Sequence, residues 1–269
     1  LFNGMRYNAV WGTGGGSGGT YTVNSGTVEE LAIDTAGASA EAESAGVRVN
    51  IIPRQGGNRL SGNNTFTYAS DAFQGANLND QLRARGAGNP SKTIHNWDIN
   101  PALGGPIKQD RAWFFFSYQT AGVESEPAAA RVDRVPDDFL FTSDPSAALP
   151  RSLVRYHSFA ARVTAQTSKN SKFGFYADHT PQYRRNISNA ATWEGTTVQQ
   201  TPINELYQAT WTWTATNRLL VDVGQSFHPE LFKFPNLPGV PTDRTGILDT
   251  GLGITYRAPT AAIEQRSDQ

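Results

Sequence analysis

The stretch that decides the fold is Ser158-Phe159-Ala160-Ala161-Arg162-Val163-Thr164-Ala165-Gln166. Phe159, Ala161, Val163 and Ala165 occupy every second position, and the residues between them are small or polar. A period of two belongs to a β-strand, whose successive side chains leave opposite faces. The pattern recurs downstream. Phe173 and Phe175 stand against Gly174, Tyr176 and Asp178, and over 206–214 Tyr207, Ala209, Trp211 and Trp213 stand against Gln208, Thr210, Thr212 and Thr214. A further segment opposes Leu219, Val221 and Val223 to Asp222 and Gly224, with Leu220 out of phase. Alternation alone fits any half-buried sheet, a soluble sandwich included.

Two features point away from the sandwich. The polar faces carry Thr, Ser, Gln, Asn and Gly, whereas a soluble sheet coats its wet side with Lys and Glu; this composition suits a crowded polar lumen. The apolar faces end in Trp and Tyr, rings suited to the lipid headgroup level. The connections add a third. Short turns at Gln109, Asp110 and Arg111, at 167–171 and at 215–217 alternate with long polar loops over 70–93, 122–152 and 181–203. Outer-membrane barrels have that asymmetry, with short periplasmic turns and long extracellular loops. An open sheet edge in lipid would leave backbone groups unpaired, so such a barrel must close. The fold class expected is all-β: part of a large antiparallel transmembrane β-barrel, about seven strands of it, or eight if 251–257 adds one.

Composition agrees. The 269 residues are 38% hydrophobic and 17% charged, against about 45–50% and about 25% in an ordinary soluble domain. The net charge of -1 offers no field to hold a phosphate backbone, so nucleic acid is not an expected partner. With no cysteine, disulfides, thiolate catalysis and cysteine-ligated zinc are excluded. The densest apolar run, 112–116, falls far short of the roughly 18 residues a spanning helix needs. The chain opens on Leu1 in mid-pattern, without a leader, and is expected to lack its natural N-terminus.

The texture changes near Gly56, Gly57 and Asn58. Before them the sequence is rich in Gly, Ala and acidic residues, with strand-like pieces at 31–34 and 47–52, the second closed by Pro53. Gly14, Gly16 and Gly19 spell a formal G-x-G-x-x-G, but Thr20, Tyr21, Thr22 and Val23 continue as extended chain where a dinucleotide site needs a helix. A loop is the better reading.

Specific residues then bring a family into view. Val28-Glu29-Glu30-Leu31, Ser39-Ala40-Glu41, Val49-Asn50-Ile51-Ile52-Pro53-Arg54 and Gly56-Gly57-Asn58 resemble, in order and spacing, the closing half of the plug in TonB-dependent outer-membrane receptors. Gly104-Gly105-Pro106-Ile107, a polar turn, Trp113-Phe114-Phe115-Phe116 and Tyr118 resemble early barrel strands of the Oar-like branch, which carries an N-terminal carboxypeptidase-regulatory-like domain. The resemblance implies that residues 1–58 are the C-terminal part of a plug and 59–269 the first barrel strands, in a barrel of about 22 strands. It also implies a location in the Gram-negative bacterial outer membrane and lipid around the barrel. It further implies energised uptake of an unidentified extracellular ligand (peptide, oligosaccharide or chelate), with the TonB complex engaging through a segment outside this sequence. No cofactor is implied. The alternatives are a secreted soluble β-sandwich that binds carbohydrate, and an adhesin or structural barrel without transport.

Within the resemblance, Arg48, Arg54, Arg162 and Asp178 are candidates for ion pairs between plug and barrel, with solvated or locally paired side chains the bland reading, as for Glu29 and Glu30. Candidate ligand contacts in the extracellular loops are Phe73, Arg83, Arg85, Tyr183, Arg184 and Trp193, with Phe139 and Phe141 also noted; loop packing on the rim is the competing reading. His95, His157, His179 and His228 are too scattered for a metal motif and are expected in loops or the lumen. Asp133, Asp137 and Asp138 lack the spacing of a calcium loop. No G-x-S-x-G and no phosphate-binding loop occurs, so no enzyme activity is expected. Asn63-Asn64-Thr65 and Asn186-Ile187-Ser188 match a glycosylation pattern that presumes a eukaryotic route and is discounted.

Overall fold

The computed structural model describes residues 1–7, 21–35, 47–75, 77–88, 90–128, 130–185, 187, 190–260 and 263–268. The protein is all-β, 57% strand and 5% helix, and its sheets are antiparallel. The formal G-x-G-x-x-G and Ser39-Ala40-Glu41 lie outside the described residues.

Near the amino end, β1 (Val28–Asp34) and β2 (Arg48–Pro53) form a two-stranded antiparallel sheet, close to the strand-like pieces expected there. Phe2 bridges to Ile51 beside it. The main sheet is built from β3 (Ser61–Ser70), β4 (Lys92–Lys108), β5 (Ala112–Glu126), β6 (Ser152–Ser168), β7 (Ser171–His179), β8 (Gln182–Arg185), β9 (Val198–Thr216), β10 (Leu219–Phe227), β11 (Pro229–Phe234) and β14 (Ile263–Asp268). The small hairpin of β12 (Ile247–Asp249) and β13 (Ile254–Tyr256) stands apart from it.

The main sheet is an up-and-down meander. β7 and β8 pair with successive stretches of β6 and β9, so they are one interrupted strand, and β10 and β11 do the same along β9. The order is therefore β3, β4, β5, β6, β7 with β8, β9, β10 with β11, then β14. The expected eighth strand at 251–257 is not in this sheet. Its β13 pairs with β12, with an isolated bridge from Thr255 to Ala191, and β14 takes the eighth place. The positive φ of Gly253, 66°, turns the chain back four residues after β12 ends and closes a short hairpin.

The short turns 109–111, 169–170 and 217–218 all leave one end of the meander, and the long connections 71–91, 127–151, 186–197 and 235–262 leave the other. Two of the loops are shorter than expected. β5 runs on to Glu126, and β8 carries the strand past Pro181, whose carbonyl accepts from His157 N at 3.2 Å.

The side chains separate by face as the alternation requires. Residues 1–7, 21–27 and 53–58 lie against one face, here called inner, on which Asn100, Ser117, Gln119, Ser158, Thr164, Asp178 and Gln208 are buried. Ser117 and Ser158 have no exposed surface at all. The outer face carries Phe66, Leu103, Phe116, Phe159, Val163, Phe173, Phe175 and Val223, all exposed; Phe175 is 51% exposed and Phe66 73%. Large apolar groups thus face outward while hydroxyls and amides are packed within.

Candidate functional site

The seat of the amino-terminal segment on the inner face is where distant parts of the chain are brought together. Its apolar centre is small: Phe2, Tyr21 and Ile51 from the segment meet Ala160, Tyr176 and Leu206 from the sheet, with the Phe2 and Tyr176 ring centroids 4.8 Å apart. Around it the contacts are polar. Tyr21 Oη donates to Asp178 Oδ2 at 2.7 Å, and Ser158 Oγ donates to Asp178 Oδ1 at 2.8 Å. Asn24 Nδ2 donates to Ser117 Oγ at 3.2 Å and Ser158 Oγ at 3.0 Å, and its own Oδ1 accepts from Gly26 N at 2.9 Å. A Cβ on Gly26 would meet the Asn100 amide and the Ser117 hydroxyl, so a larger residue there would have to displace both buried side chains. Gln208 Nε2 reaches the Phe2 carbonyl at 3.0 Å, and Gln182 Nε2 reaches Thr22 Oγ1 at 3.0 Å. Burial, followed by the nearby Tyr176 and Asp178, pushes the Tyr21 phenol well above its ordinary pKa, so it stays a donor.

The segment closes on the turn end of the sheet. Asn58 accepts from Asp110 N at 2.9 Å and from Trp113 Nε1 at 2.7 Å, and its amide donates to Asp110 Oδ1 at 2.5 Å. Asp110 sits at φ 60° in the turn between β4 and β5, a left-handed conformation that Asp tolerates. Two motifs about fifty residues apart in sequence, Gly56-Gly57-Asn58 and the polar turn before Trp113, are thereby in direct contact.

The four ion-pair candidates divide. Arg162 and Asp178 do lie on the inner face and do touch the segment, but through neutral partners: Arg162 Nη1 donates to the Pro53 carbonyl at 2.8 Å, and Asp178 accepts from Tyr21. Arg54 is bound within the segment, to the Val28 carbonyl at 2.9 Å, with Glu29 at 3.8 Å in a solvent-exposed pair. Arg48 is exposed on β2. No ion pair crosses between segment and sheet among the described residues. Desolvating two charges is repaid only by excellent geometry, whereas a strand-end carbonyl and a phenol need no such compensation.

The loop candidates also divide. Tyr183 and Arg184 are in β8 and not in a loop. Tyr183 lies under the Arg155 guanidinium, 5.2 Å from its ring centroid, and Arg184 bonds to Gln182 Oε1 at 3.1 Å and lines a cavity of about 220 Å3 with Thr196 and Phe234. Trp193 is stacked under Arg185 at 5.0 Å and packs with Tyr183 against Val198, Leu237, Val240 and Ala258. Phe139 is covered by Arg257 at 4.2 Å, Phe141 meets Tyr256, and Asp137 pairs with Arg244. The loops 127–151, 186–197 and 235–262 are thus knitted into one assembly at the loop end. Phe73, Arg83 and Arg85 stay exposed on the separate loop 71–91, where α1 (Asp80–Ala84) is capped by Asn79.

The acidic residues of 127–151 serve the loop itself. Asp133 Oδ1 accepts from Val135 N and Thr142 N, and Asp138 Oδ1 from Phe139 N. The histidines are not where loops or lumen would put them, with one exception. His95, His157 and His179 stand on the outer face at the loop end of their strands, beside Tyr68 at 2.9 Å, Tyr118 at 3.1 Å and Glu205 at 3.2 Å. His228 faces inward to the Tyr7 carbonyl and Asn204. The signal for the outer three was present in the alternation, since each falls on the parity of the apolar positions of its strand.

Comparison with known proteins gives no match: no family model fits the chain, and neither a curated protein nor a solved structure is similar to it. No helix among the described residues is long and apolar enough to cross a membrane, which has no bearing on strands.

Proposed function

We propose that this chain is the end of the plug and the leading strands of a TonB-dependent outer-membrane receptor of the Oar-like kind. In this reading the outer face meets lipid hydrocarbon and residues 1–58 fill the lumen. The knitted loops face the exterior and take part in ligand capture, and a periplasmic partner energises uptake by pulling on the plug.

One observation carries the reading, the reversal of polarity between the two faces. Burying a large apolar side chain is worth about 1.5–3 kcal/mol, so eight of them left roughly half exposed forfeit something near 8 kcal/mol. That is comparable to the whole stability of an ordinary domain, about 5–15 kcal/mol. A hydrocarbon solvent removes the deficit. A soluble sandwich would instead cover Phe173, Phe175, Trp211 and Trp213 with a second sheet, and none lies over them among the described residues.

The borders of the apolar face agree with a bilayer. At the turn end Phe173, Trp211 and Trp213 stack with centroids 5.9 Å apart, and Trp211 Nε1 keeps a hydrogen bond to Ser171 Oγ at 3.0 Å. At the loop end Tyr68, Tyr118 and Tyr207 keep theirs to His95, His157 and Glu205. Trp211 and Trp213 at one margin, the three tyrosines at the other and apolar groups between them match the two girdles expected of an outer-membrane barrel. Strands of 15 to 19 residues in β4, β5, β6 and β9 exceed the roughly 9–11 that cross a bilayer, leaving their loop-end portions outside it.

The absence of native cysteine makes the test direct. Single variants Val163→Cys, Phe175→Cys and Leu103→Cys, expressed in the outer membrane of a Gram-negative host, should react with a lipid-soluble maleimide and resist a water-soluble one. Rapid reaction of all three with the water-soluble reagent would remove the proposal.

A further inference from the structure

Between the turn at residues 2–5 and the inner face lies a cavity of about 380 Å3 that the plug seat does not use. Its floor is set by register. Thr164, Gly174, Thr210 and Gly224 stand side by side on β6, β7, β9 and β10, so two of four floor positions have no side chain. Met5 roofs it: a Cβ on Gly224 would come within 2.9 Å of its sulfur.

Two cations, Arg162 and Lys172, and one carboxylate, Asp222, line this floor. Arg162 spends Nη1 on the Pro53 carbonyl, and its Nη2 lies over Gly174, 3.8 Å from where a Cβ would be. Lys172 Nζ reaches Gln55 Oε1 at 3.2 Å and has two further protons to give. The Thr164 hydroxyl is the second, independent sign. Thr164 is 2% exposed and lines the cavity, yet its Oγ1 has no hydrogen-bond partner among the described residues. The carboxylate that lines the cavity, Asp222, stands across β9 on β10 and forms no ion pair with either cation.

We propose that this cavity is a binding site for a small oxyanion, a phosphate or carboxylate group, held between Arg162 and Lys172 with the Thr164 hydroxyl as third donor. Guanidinium and ammonium donors to an oxyanion make charge-assisted bonds, the strongest class open to these side chains. The bound group would touch both the sheet and the turn at residues 2–5, so it also fastens the amino-terminal segment to its seat. The assignment does not depend on the membrane reading.

The test is calorimetric titration of the purified full chain in detergent with orthophosphate, against chloride at matched ionic strength. Saturable one-to-one binding of phosphate alone is expected. Lys172→Gln should weaken it at least tenfold and Thr164→Val about fivefold, while Lys169→Gln, in the turn outside the cavity, should leave it unchanged. Thr164→Val keeps the shape of the side chain and serves if Lys172→Gln does not fold. No saturable binding, equal affinity in Thr164→Val and wild type, or an equal loss in Lys169→Gln would each overturn the site.

Discussion

Replacing Phe175 by arginine separates a lipid-facing strand from a solvated one more sharply than any other single change. Phe175 lies near the middle of β7 on the outer face, between Val163 of β6 and Ala209 of β9, with half of its surface exposed. Losing its remaining contacts costs about 1 kcal/mol in any solvent, half the value of a fully buried ring. If the face meets water, little is added, since exposed substitutions stay within about 0.5 kcal/mol. If it meets hydrocarbon, the guanidinium adds about 2–4 kcal/mol at the bilayer midplane, falling to about 0–1 near the interface. The expected total is therefore roughly 3–5 kcal/mol for Phe175→Arg. Leu219→Arg, at the first residue of β10 beside the turn, should cost roughly 1–2 kcal/mol. Guanidinium unfolding of the protein reconstituted in lipid vesicles measures both. Equal costs at the two positions would refute the depth argument and with it the membrane assignment of the outer face.

Other expectations concern the seat and the loops. Tyr21→Phe removes a hydrogen bond to a carboxylate and should loosen the amino-terminal segment by about 1.5–3 kcal/mol, seen as faster proteolysis within residues 21–35. The Tyr21 phenol has its folded pKa raised, so its contribution is complete below the ordinary value of 10.0 and is lost as pH climbs from there toward the folded pKa. Alkaline release of the segment should therefore begin above pH 10, and an identical release profile in Tyr21→Phe would disprove the link. Gly195→Ala drives a Cβ into the Thr255 carbonyl and should cost about 1–3 kcal/mol. Hydrogen exchange at Thr192 N and Thr255 N, which bond across that contact, should quicken while the main sheet stays protected.

Much of this architecture was legible because a strand writes its two faces into consecutive residues. Phe159, Val163, Phe175 and Trp213 fell on one parity and Ser158, Thr164 and Gln208 on the other, and the structure separates them accordingly. The placement of turns and loops at opposite ends followed from their lengths. What local pattern could not supply was partnership over more than a hundred residues. Nothing near Tyr21 or Asn24 marks Asp178 or Ser158 as its partner, because those contacts depend on the register of every strand between. Parity places Arg162 and Asp178 on the inner face but does not give their partners, because charge suggests pairing while burial favours a neutral donor or acceptor. Tyr183 lies beyond Pro181 in a stretch without alternation of its own, and the strand resumes there because β6 and β9 on either side continue the ladder.

The inner face has a consequence for whatever occupies it. Serine, threonine, asparagine and glutamine lose little when a protein partner is exchanged for water, since each bond surrendered is remade with solvent at a net difference of about 0.5–1.5 kcal/mol. An apolar seat would collapse on itself once vacated. Around its small apolar centre this seat is lined by groups that water can satisfy, so exchange of those polar contacts alone would not oblige the wall behind the segment to refold.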